Sequence, residues 1–509
     1  MKFLILLSSI ALPCLLWAQP VQESGPVFGT WQANSEHHVV GNLSIPNGRT
    51  LTVAEGVLVK FIGSFSVAVS GEIVCQGTAE NPVTFTCDTI QVPARWKGIR
   101  IAAAQGTFVH TIIEHADYNQ IGEEAASGLN CNASVVSLTD CIVRHCRSRP
   151  PIGCYNSSEV HIERCTITRN FLTVGCCGGG IGVRGSSHAD IIDCDIWYNS
   201  ALDGAGIYVN DGGSADIINT RISGNDAHLQ GGGVFVAGGG EVVMKKCYIL
   251  YNHVNGTGGG MKADGDNLLV EQCTFIGNDC MSGAQVNSTS GDAEFNSCIF
   301  APFNGPFGIG PALEIQPNLQ LHHNVIYTFF TDPDFAGTLP QGLGIIDRVN
   351  ANGDSCDVFN NIYKDPMFVS SVANNFNLLY NSPCIDAGDP LLELDPDSTI
   401  ADIGVTYYDQ SSPVNERLIS LPQSIDFHAA YPNPFNPVTT LSFSLTQPAQ
   451  VKLCVLDLLG RSVAVLIDRQ VSAGAHSLQW NAADLPSGLY FAELAAGEYR
   501  QVQKLILMK

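Results

Sequence analysis

The sequence is poor in charged residues, and in basic residues above all. Only 14% of its 509 residues are charged, and 25 Lys and Arg stand against 48 Asp and Glu, which gives a formal net charge of −23. Such a chain repels phosphate backbones and anionic lipid, so nucleic-acid and membrane-surface partners are not expected. Polyuronate substrates are disfavoured for the same reason unless a cation bridges them.

Long apolar runs and common catalytic motifs are also missing. Beyond the N-terminus no apolar run approaches the roughly 18 residues of a membrane-spanning helix. The sequence contains no C-x-x-C, H-E-x-x-H, G-x-x-x-x-G-K-[ST] or G-x-S-x-G motif. These absences predict a chain without a transmembrane segment and favour a non-catalytic role.

The N-terminus has the parts of a secretory signal peptide, which we place at residues 1–18. Lys2 supplies the positive charge, an apolar stretch runs to Trp17, and Ala18 ends a cleavage site. Cys14 lacks the small preceding residue of a lipoprotein signal, since Pro13 stands there. We therefore expect export, with cleavage after Ala18.

Glycine is abundant, at 51 residues, and a repeat emerges when the cysteines are aligned. Successive anchor positions are separated by 29, 26, 27 and 26 residues, an asparagine follows each anchor by five residues, and a glycine-rich triplet lies between anchors. The anchors are Cys165, Cys194, Thr220, Cys247 and Cys273, and the asparagines are Asn170, Asn199, Asn225, Asn252 and Asn278. A period of this length is typical of a solenoid or a propeller.

The content of each repeat favours one coil of a parallel β-helix. Each repeat holds two or three short alternating stretches broken by Gly, Asn or Asp, too short for a helix, whereas a propeller blade needs about 40 residues. Equivalent residues of successive coils then stack at about 4.8 Å. We expect the cysteines to point inward, and the asparagines to occupy a left-handed corner with their amides bonded along the column.

The cysteines allow two interpretations. Stacked in-register neighbours do not naturally reach the dihedral angle of a disulfide near 90°, so the anchor column is expected to hold free thiols. Cysteines in loops are the alternative candidates for pairing, namely Cys146, Cys154, Cys176, Cys177 and Cys280.

This pattern resembles the right-handed β-helix repeat proteins that are related in fold to pectate lyases. Further resemblance lies in an entry segment that includes Thr50–Phe61 and Gly77–Phe85. The resemblance implies a right-handed single-stranded parallel β-helix over residues 19–405. Its parts are an entry segment at about 26–100, regular coils at about 105–330 and a closing segment at about 360–405.

The C-terminal region changes character after a linker at residues 406–424. Residues 425–509 alternate as about seven short strands, which suits a small immunoglobulin-like β-sandwich. This region resembles the type A C-terminal sorting domain of the Bacteroidetes-type (type IX) secretion system. The matching residues are Tyr431–Pro437, Gly460-Arg461, Ala473–His476, Trp480 and Ser487–Tyr490. The resemblance implies a bacterial protein that is secreted or held on the outer cell surface, with the secretion machinery as a partner.

A carboxylate pair, Asp193 and Asp195, flanks the anchor Cys194. Strand geometry would direct both acids outward about 6–7 Å apart, near the spacing used for glycoside hydrolysis. The alternative is an ion-pair ladder with Arg164 and Arg221 of the neighbouring coils. For a lyase, the resemblance implies an arginine base, for which Arg184 is the candidate, although no acidic cluster accompanies it.

Two aromatic residues, Tyr208 and Phe235, occupy equivalent outward positions of neighbouring coils. If exposed, they would form a stack that holds sugar rings. The alternative is that they pack on each other or lie under a loop.

Aspartates cluster in the closing segment, where Asp395, Asp397 and Asp402 are candidate ligands for Ca²⁺. The alternative is that their carboxylates accept hydrogen bonds from turn amides, since the spacing of a twelve-residue calcium loop is absent. No other cofactor is expected.

Two functional hypotheses follow. The first is a secreted or surface-attached, non-catalytic β-helix that binds polysaccharide or cell-surface glycan, or serves as an adhesive or structural element. The second is a polysaccharide lyase or glycoside hydrolase that acts along one face of the β-helix.

Overall fold

The computed structural model describes most of the chain between residues 20 and 508. The described ranges are 20–87, 95–118, 127–172, 177–265, 267–280, 285–288, 293–301, 313–315, 319–327, 335–370, 374–411, 425–431, 433, 435–445, 449–458, 461–471, 474–483, 485–497 and 499–508. Within these ranges every regular element is a β-strand. The predicted signal peptide and most of the predicted linker lie outside the described residues.

The larger part of the chain is a right-handed parallel β-helix with three faces, as predicted. Each coil passes through face 1, then face 2, then face 3, before it returns to face 1 one level further along. Face 1 consists of Gly29–Trp31, Thr50–Val53, Glu72–Gln76, Gln105–Val109, Val135–Thr139, Glu159–Glu163, His188–Ile192, Ser214–Ile218, Glu241–Lys245, Leu268–Glu271, Ala293–Asn296 and Gln320–His322.

The other two faces belong to one hydrogen-bonded network. Face 2 consists of Leu58–Phe61, Val83–Cys87, Thr111–Glu114, Ile142–Arg144, Thr166–Thr168, Asp195–Trp197, Arg221–Ser223, Tyr248–Leu250, Thr274–Ile276, Ile299–Ala301 and Val325–Ile326. Face 3 consists of Val67–Val69, Ile99–Ala102, Leu129–Asn132, Ile152–Tyr155, Ile181–Val183, Ile207–Val209, Val234–Val236, Met261–Ala263, Val286–Ser288, Leu313–Ile315 and Phe335–Gly337. Val21–Pro26 and Glu36–Ile45 join the two faces at the N-terminal end.

Short additional strands flank the three faces. Ser200–Asp203, Asp226–Gln230 and His253–Val254 form a small parallel sheet at the turn between faces 2 and 3. Two antiparallel pairs follow the coils, Arg348–Val349 with Ser355–Cys356 and Phe368–Ser370 with Asn375–Leu378. Among the described residues no helix is long and apolar enough to span a membrane.

The anchor cysteines point into the core of the β-helix, which confirms the prediction of an inward stack. Cys165, Cys194, Cys247 and Cys273 are buried, and Thr220 takes the same place in its coil. The backbone N–H groups of Cys165, Cys194 and Cys247 each donate to the anchor side chain one level along, as in Cys165 N to Cys194 Sγ at 3.4 Å. The column therefore satisfies backbone donors that strand pairing leaves free at the corner.

The asparagine column is buried and hydrogen-bonded along its length, but the predicted left-handed backbone is displaced by one residue. The residues with positive φ are those just before the asparagines, such as Arg169 (φ 55°) and Tyr198 (φ 54°). A second left-handed corner precedes each anchor, as at Asp193 (φ 54°). The asparagine itself points inward because its amide supplies hydrogen bonds to the turning backbone.

The C-terminal region forms two antiparallel sheets, in agreement with the predicted sandwich. One sheet consists of Asp426–Tyr431, Val438–Leu445 and Gly474–Asn481, and the other of Ala449–Leu456, Ser462–Val471, Gly488–Ala496 and Tyr499–Leu507. Their inner faces bury a separate core that includes Phe443, Leu453 and Trp480. Alternating apolar residues on each strand create this core, as expected for sandwich packing.

Candidate functional site

The outward side of face 1 carries an array of titratable side chains in register. Parallel pairing aligns His161, Asp190 and Asp216 in one column across three coils. His188 and Ser214 are aligned in the next column. Because side chains alternate between the two sides of a strand, all five lie on the same outward surface.

Hydrogen bonds join His161, His188 and Asp190, and Asp216 lies within 4.8 Å of His188 and Asp190. We call these four side chains the His–Asp network. His188 Nε2 lies 3.2 Å from Asp190 Oδ1, and His188 Nδ1 lies 2.8 Å from Ser214 Oγ. His161 Nδ1 lies 3.5 Å from Asp190 Oδ2. Asp190 thus has an imidazole at each carboxylate oxygen, which orients both rings.

The network remains open to solvent. The side chains of His161 and Asp190 are each 41% exposed, and that of His188 is 31% exposed. Donor atoms of His188, Asp190 and Asp216 lie within 4.8 Å of one another. The arrangement places hydroxyl-binding carboxylates beside two imidazole rings.

A shallow groove of about 260 Å³ adjoins the network on face 1. It is lined by Gln105, Gly106, Thr107, Val135, Val136, Ser137, Glu159, Val160, His161 and Asp190. Val135 is 59% exposed, so an apolar patch lies among hydroxyl, amide and carboxylate groups. This combination of an apolar surface with hydrogen-bonding groups suits a polyhydroxylated ligand.

Sequence reasoning missed the His–Asp network, although a signal was present. In the aligned repeats, His161, Asp190 and Asp216 each stand four residues before an anchor. That shared position predicts a column of titratable side chains once the stacking of coils is accepted. The sequence prediction instead selected the carboxylates of Asp193 and Asp195 beside Cys194.

The predicted pair Asp193 and Asp195 does not lie on a single strand, contrary to the geometry assumed from the sequence. Both are exposed, but Asp193 lies at a left-handed corner and Asp195 begins the face 2 strand. Alternation along a strand therefore does not set their spacing. The corner is required because the chain turns from face 1 to face 2 there.

The ladder proposed as the alternative is also only partly present. Arg164 donates from Nε and Nη2 to the Asp140 carboxylate and contacts Glu163, while Asp193 accepts from Asn219 Nδ2. Asp195 pairs in register with Arg221, as the repeat predicts.

Tyr208 and Phe235 pack on each other, which is the alternative to an exposed sugar-binding stack. Their residues are only 8% and 6% exposed, and the two rings pack with centroids 5.3 Å apart. The guanidinium of Arg184 lies 5.0 Å from the centre of the Tyr208 ring, and burial raises the pKa of Tyr208. The rings are buried because the face 3 strands at this level are covered on both sides.

The aspartates of the closing segment accept backbone hydrogen bonds, which matches the alternative to a Ca²⁺ site. Asp395 Oδ2 accepts from Asp402 N at 2.7 Å, and Asp402 accepts from the N–H groups of Asp386 and Tyr408. Asp397 accepts from Gln410 N at 2.8 Å. Burial raises the pKa of Asp402 to about 7.

Comparisons with known proteins agree with the two-part architecture. Residues 179–331 match the family model of the right handed beta helix region, and residues 429–508 match that of the secretion system C-terminal sorting domain. A solved structure of pectate lyase Pel9A aligns with a TM-score of 0.36 and 12% identity, covering 76% of this chain and 97% of that chain. None of the curated proteins matches the chain significantly.

The fold and both family matches therefore lead to one conclusion. The sorting domain directs the protein through the type IX secretion machinery to the bacterial cell surface or the extracellular space. The chain is a secreted right-handed β-helix protein that carries a C-terminal sorting domain.

Proposed function

We propose that this protein is a non-catalytic binder of neutral polysaccharide and that face 1 is its binding surface. The observation that carries the proposal is the groove of face 1, where Ser137, Glu159 and Asp190 surround the exposed Val135. Carboxylates accept hydrogen bonds from sugar hydroxyls, and such charge-assisted bonds are among the stronger ones. The long flat face suits an extended chain that contacts several coils.

Charge decides the class of glycan. The chain has a formal net charge of −23, and the groove itself presents the acids Glu159 and Asp190. A polyuronate would bring further negative charge to this surface, whereas a neutral β-glucan, xylan or mannan would not. The proposal makes no use of Ca²⁺, since Asp395, Asp397 and Asp402 accept hydrogen bonds from backbone amides.

The binding surface is assigned to face 1 rather than to the aromatic pair. Tyr208 and Phe235 are buried against each other, so a sugar ring could stack on them only after a local rearrangement. Face 1 needs no such rearrangement because His161 and Asp190 are already exposed.

The test is a binding screen of the full-length secreted protein against neutral and acidic polysaccharides by isothermal titration calorimetry. We expect binding to a neutral polymer, weakened at least tenfold by the double substitution Glu159→Gln and Asp190→Asn. Glu241→Gln is the matched control, because Glu241 occupies the same column as Glu159 three coils away and outside the groove. Equal affinities of wild-type and double-variant protein would refute the assignment to face 1.

A hydrolase is the second candidate, and one observation favours it. Asp190 and Asp216 are paired on neighbouring strands, and donor atoms of both lie within 4.8 Å of each other and of His188. Glycoside hydrolases use two carboxyl groups a short distance apart as their catalytic groups. In this alternative the catalytic carboxylates are Asp190 and Asp216 instead of Asp193 and Asp195, which do not share a strand. Arg184 has no role in it.

The same polysaccharides distinguish the two candidates when reducing ends are measured after incubation. Release of reducing ends by the wild-type protein, lost in Asp190→Asn and in Asp216→Asn, would establish the hydrolase. Binding without release supports the non-catalytic proposal.

A further inference from the structure

The end of the β-helix brings together two histidines and an aspartate from distant parts of the chain. His322 ends the last face 1 strand, and His323 follows at a left-handed corner with φ 55°. Asp389 belongs to the closing segment and is buried, at 9% exposure. The closing segment therefore contacts the coil through polar side chains at this point.

The donor atoms of the three side chains converge. His322 Nδ1 lies 3.3 Å from His323 Nδ1 and 3.8 Å from Asp389 Oδ2, and all three donors lie within 4.8 Å of one another. Two nitrogens bound to one Zn²⁺ ion at about 2.0–2.1 Å lie about 3.3–3.4 Å apart at a tetrahedral angle. The spacing of the two imidazoles thus matches chelation of a single ion.

Neighbouring residues orient the first histidine for metal binding. His322 Nε2 lies 2.9 Å from Glu294 Oε1, so Nε2–H donates to this carboxylate and the lone pair of Nδ1 faces His323 and Asp389. A carboxylate that accepts the distal N–H of a metal-bound histidine is the usual outer partner of such a ligand.

Hydrogen bonds also fix the position of the Asp389 carboxylate. Asn296 Nδ2 donates to Asp389 Oδ2 at 3.0 Å, and Leu391 N donates to Asp389 Oδ1 at 2.9 Å. These bonds hold the buried acid next to the imidazoles. Each carboxylate oxygen keeps a second lone pair for an ion.

Without an ion, the second histidine joins a hydrogen-bonded network with His322 and Asn360. Asn360 Nδ2 lies 3.1 Å from His323 Nε2, so Nε2 accepts and His323 Nδ1–H donates to His322 Nδ1. Metal binding would move this proton to Nε2 and turn the Asn360 amide so that its oxygen accepts. Such a turn requires only a rotation of the side-chain amide.

We propose that His322, His323 and Asp389 bind one divalent transition-metal ion of the Zn²⁺ class. Two imidazoles and one carboxylate suit Zn²⁺, Ni²⁺ or Cu²⁺, whereas Ca²⁺ requires six to eight oxygen ligands. Three protein ligands leave a fourth position for water. The ion links the last described coil of face 1 to the closing segment and so stabilises the C-terminal end of the β-helix.

The experiment is calorimetric titration of untagged, metal-stripped full-length protein with Zn²⁺. We expect one ion per chain, an affinity at least 100-fold lower in His323→Ala, and an affinity about tenfold lower in Glu294→Gln, which removes only the outer partner. His188→Ala is the matched control, because His188 belongs to the other cluster of potential ligands, and it should bind as the wild-type protein does.

Co²⁺ substitution distinguishes this site from the cysteines. Nitrogen and oxygen ligands give visible d–d bands without a thiolate-to-cobalt charge-transfer band, and that spectrum is expected. A charge-transfer band, wild-type affinity in His323→Ala and Glu294→Gln, or loss of binding in His188→Ala would each overturn the proposal. So would the absence of Zn²⁺ binding at micromolar concentrations. Near-UV circular dichroism of each variant checks that it is folded.

Discussion

Each asparagine of the buried column uses both ends of its side-chain amide. Asn225 Oδ1 accepts from Asn199 N at 3.0 Å and from Asn199 Nδ2 at 3.1 Å. Its Nδ2 donates to Ile196 O at 3.0 Å and to Asn252 Oδ1 at 2.9 Å. The column thereby provides hydrogen-bond partners for backbone N–H and C=O groups at a buried corner. An apolar residue of similar size could not form these hydrogen bonds.

Replacing one member of the column should destabilise the β-helix strongly. Asn225→Ala leaves the amide of Asn199 and the carbonyl of Ile196 without these partners, at a cost of about 1–3 kcal/mol for each buried group. We expect the free energy of unfolding to fall by about 3 kcal/mol or more, measured by urea denaturation. The control is Asn255→Ala, at an exposed asparagine outside the column, for which a change below about 0.5 kcal/mol is expected. Equal effects would contradict this role of the column.

The buried carboxyl of Asp402 should make stability depend on pH. Its pKa is raised from 3.8 to about 7 by burial, so the folded state binds the proton more tightly than the unfolded state. The stabilisation that comes from protonated Asp402 in the folded state is fully present below about pH 4 and is lost as the pH rises through about 7.

Thermal unfolding at about pH 5 and about pH 8 tests this expectation. The wild-type Tm should be lower at the higher pH, and Asp402→Asn, which cannot ionise, should reduce that difference. A difference that is unchanged in Asp402→Asn would show that other groups cause it.

At the scale of the coil, the glycine triplets permit a close approach of successive turns. A Cβ at Gly206 would lie 2.3 Å from Gly233 O and 2.9 Å from Ile222 Cγ2. The backbone of one coil therefore occupies the space that a side chain on the next would need. Only the first glycine of each triplet, such as Gly204 with φ 56°, also requires a left-handed backbone.

Two glycine-to-alanine substitutions distinguish a glycine needed for the close approach of two coils from one that only adds backbone entropy to the unfolded chain. Gly206→Ala should lower the free energy of unfolding by about 2–3 kcal/mol, because the coils must move apart. Gly238→Ala should be neutral or stabilising by up to about 1 kcal/mol, since a Cβ there meets no atom within 4 Å. Urea denaturation of both variants measures the change in the free energy of unfolding. If Gly238→Ala were destabilised and Gly206→Ala were not, close approach of the coils would not be the reason for the glycine at position 206.

At the scale of the whole molecule, the β-helix and the C-terminal sandwich have separate hydrophobic cores. The β-helix core runs through the stacked coils, and the sandwich core of residues such as Phe443 and Trp480 is distinct from it. The sandwich is the part that matches the sorting domain. The proposed binding surface and the sorting domain therefore belong to different folded units, so each should be alterable without the other.

Removal of residues 429–508 should abolish export without abolishing the β-helix. In a host with a type IX system, the shortened protein is expected to remain in the periplasm, while the full-length protein reaches the surface or the medium. Immunoblots of cell fractions measure this. A periplasmic reporter fused to residues 425–509 is the control and should be exported. Normal export of the shortened protein would contradict the role of the sorting domain.

The repeat explains which structural features could be predicted from the sequence. In-register stacking makes each column chemically uniform, so spacing alone could assign Cys165 and Cys194 to the interior and the asparagines five residues further on to a hydrogen-bonded corner column. The C-terminal strands were predicted equally well, because alternation is a local property. The position of the left-handed corner was displaced by one residue, since the inward amide and the turning backbone belong to neighbouring residues.

The sequence by itself determined the coil, its interior columns and the export signal at the C-terminal end, because period and alternation are local. Only the tertiary structure decided which outward side chains are accessible. Tyr208 is buried against Phe235, and His161 joins Asp190 because the coils stack. The tertiary structure also places Asp389 near His323. The repeat does not predict this proximity, because the closing segment packs against the end of the β-helix through residues that are distant in sequence.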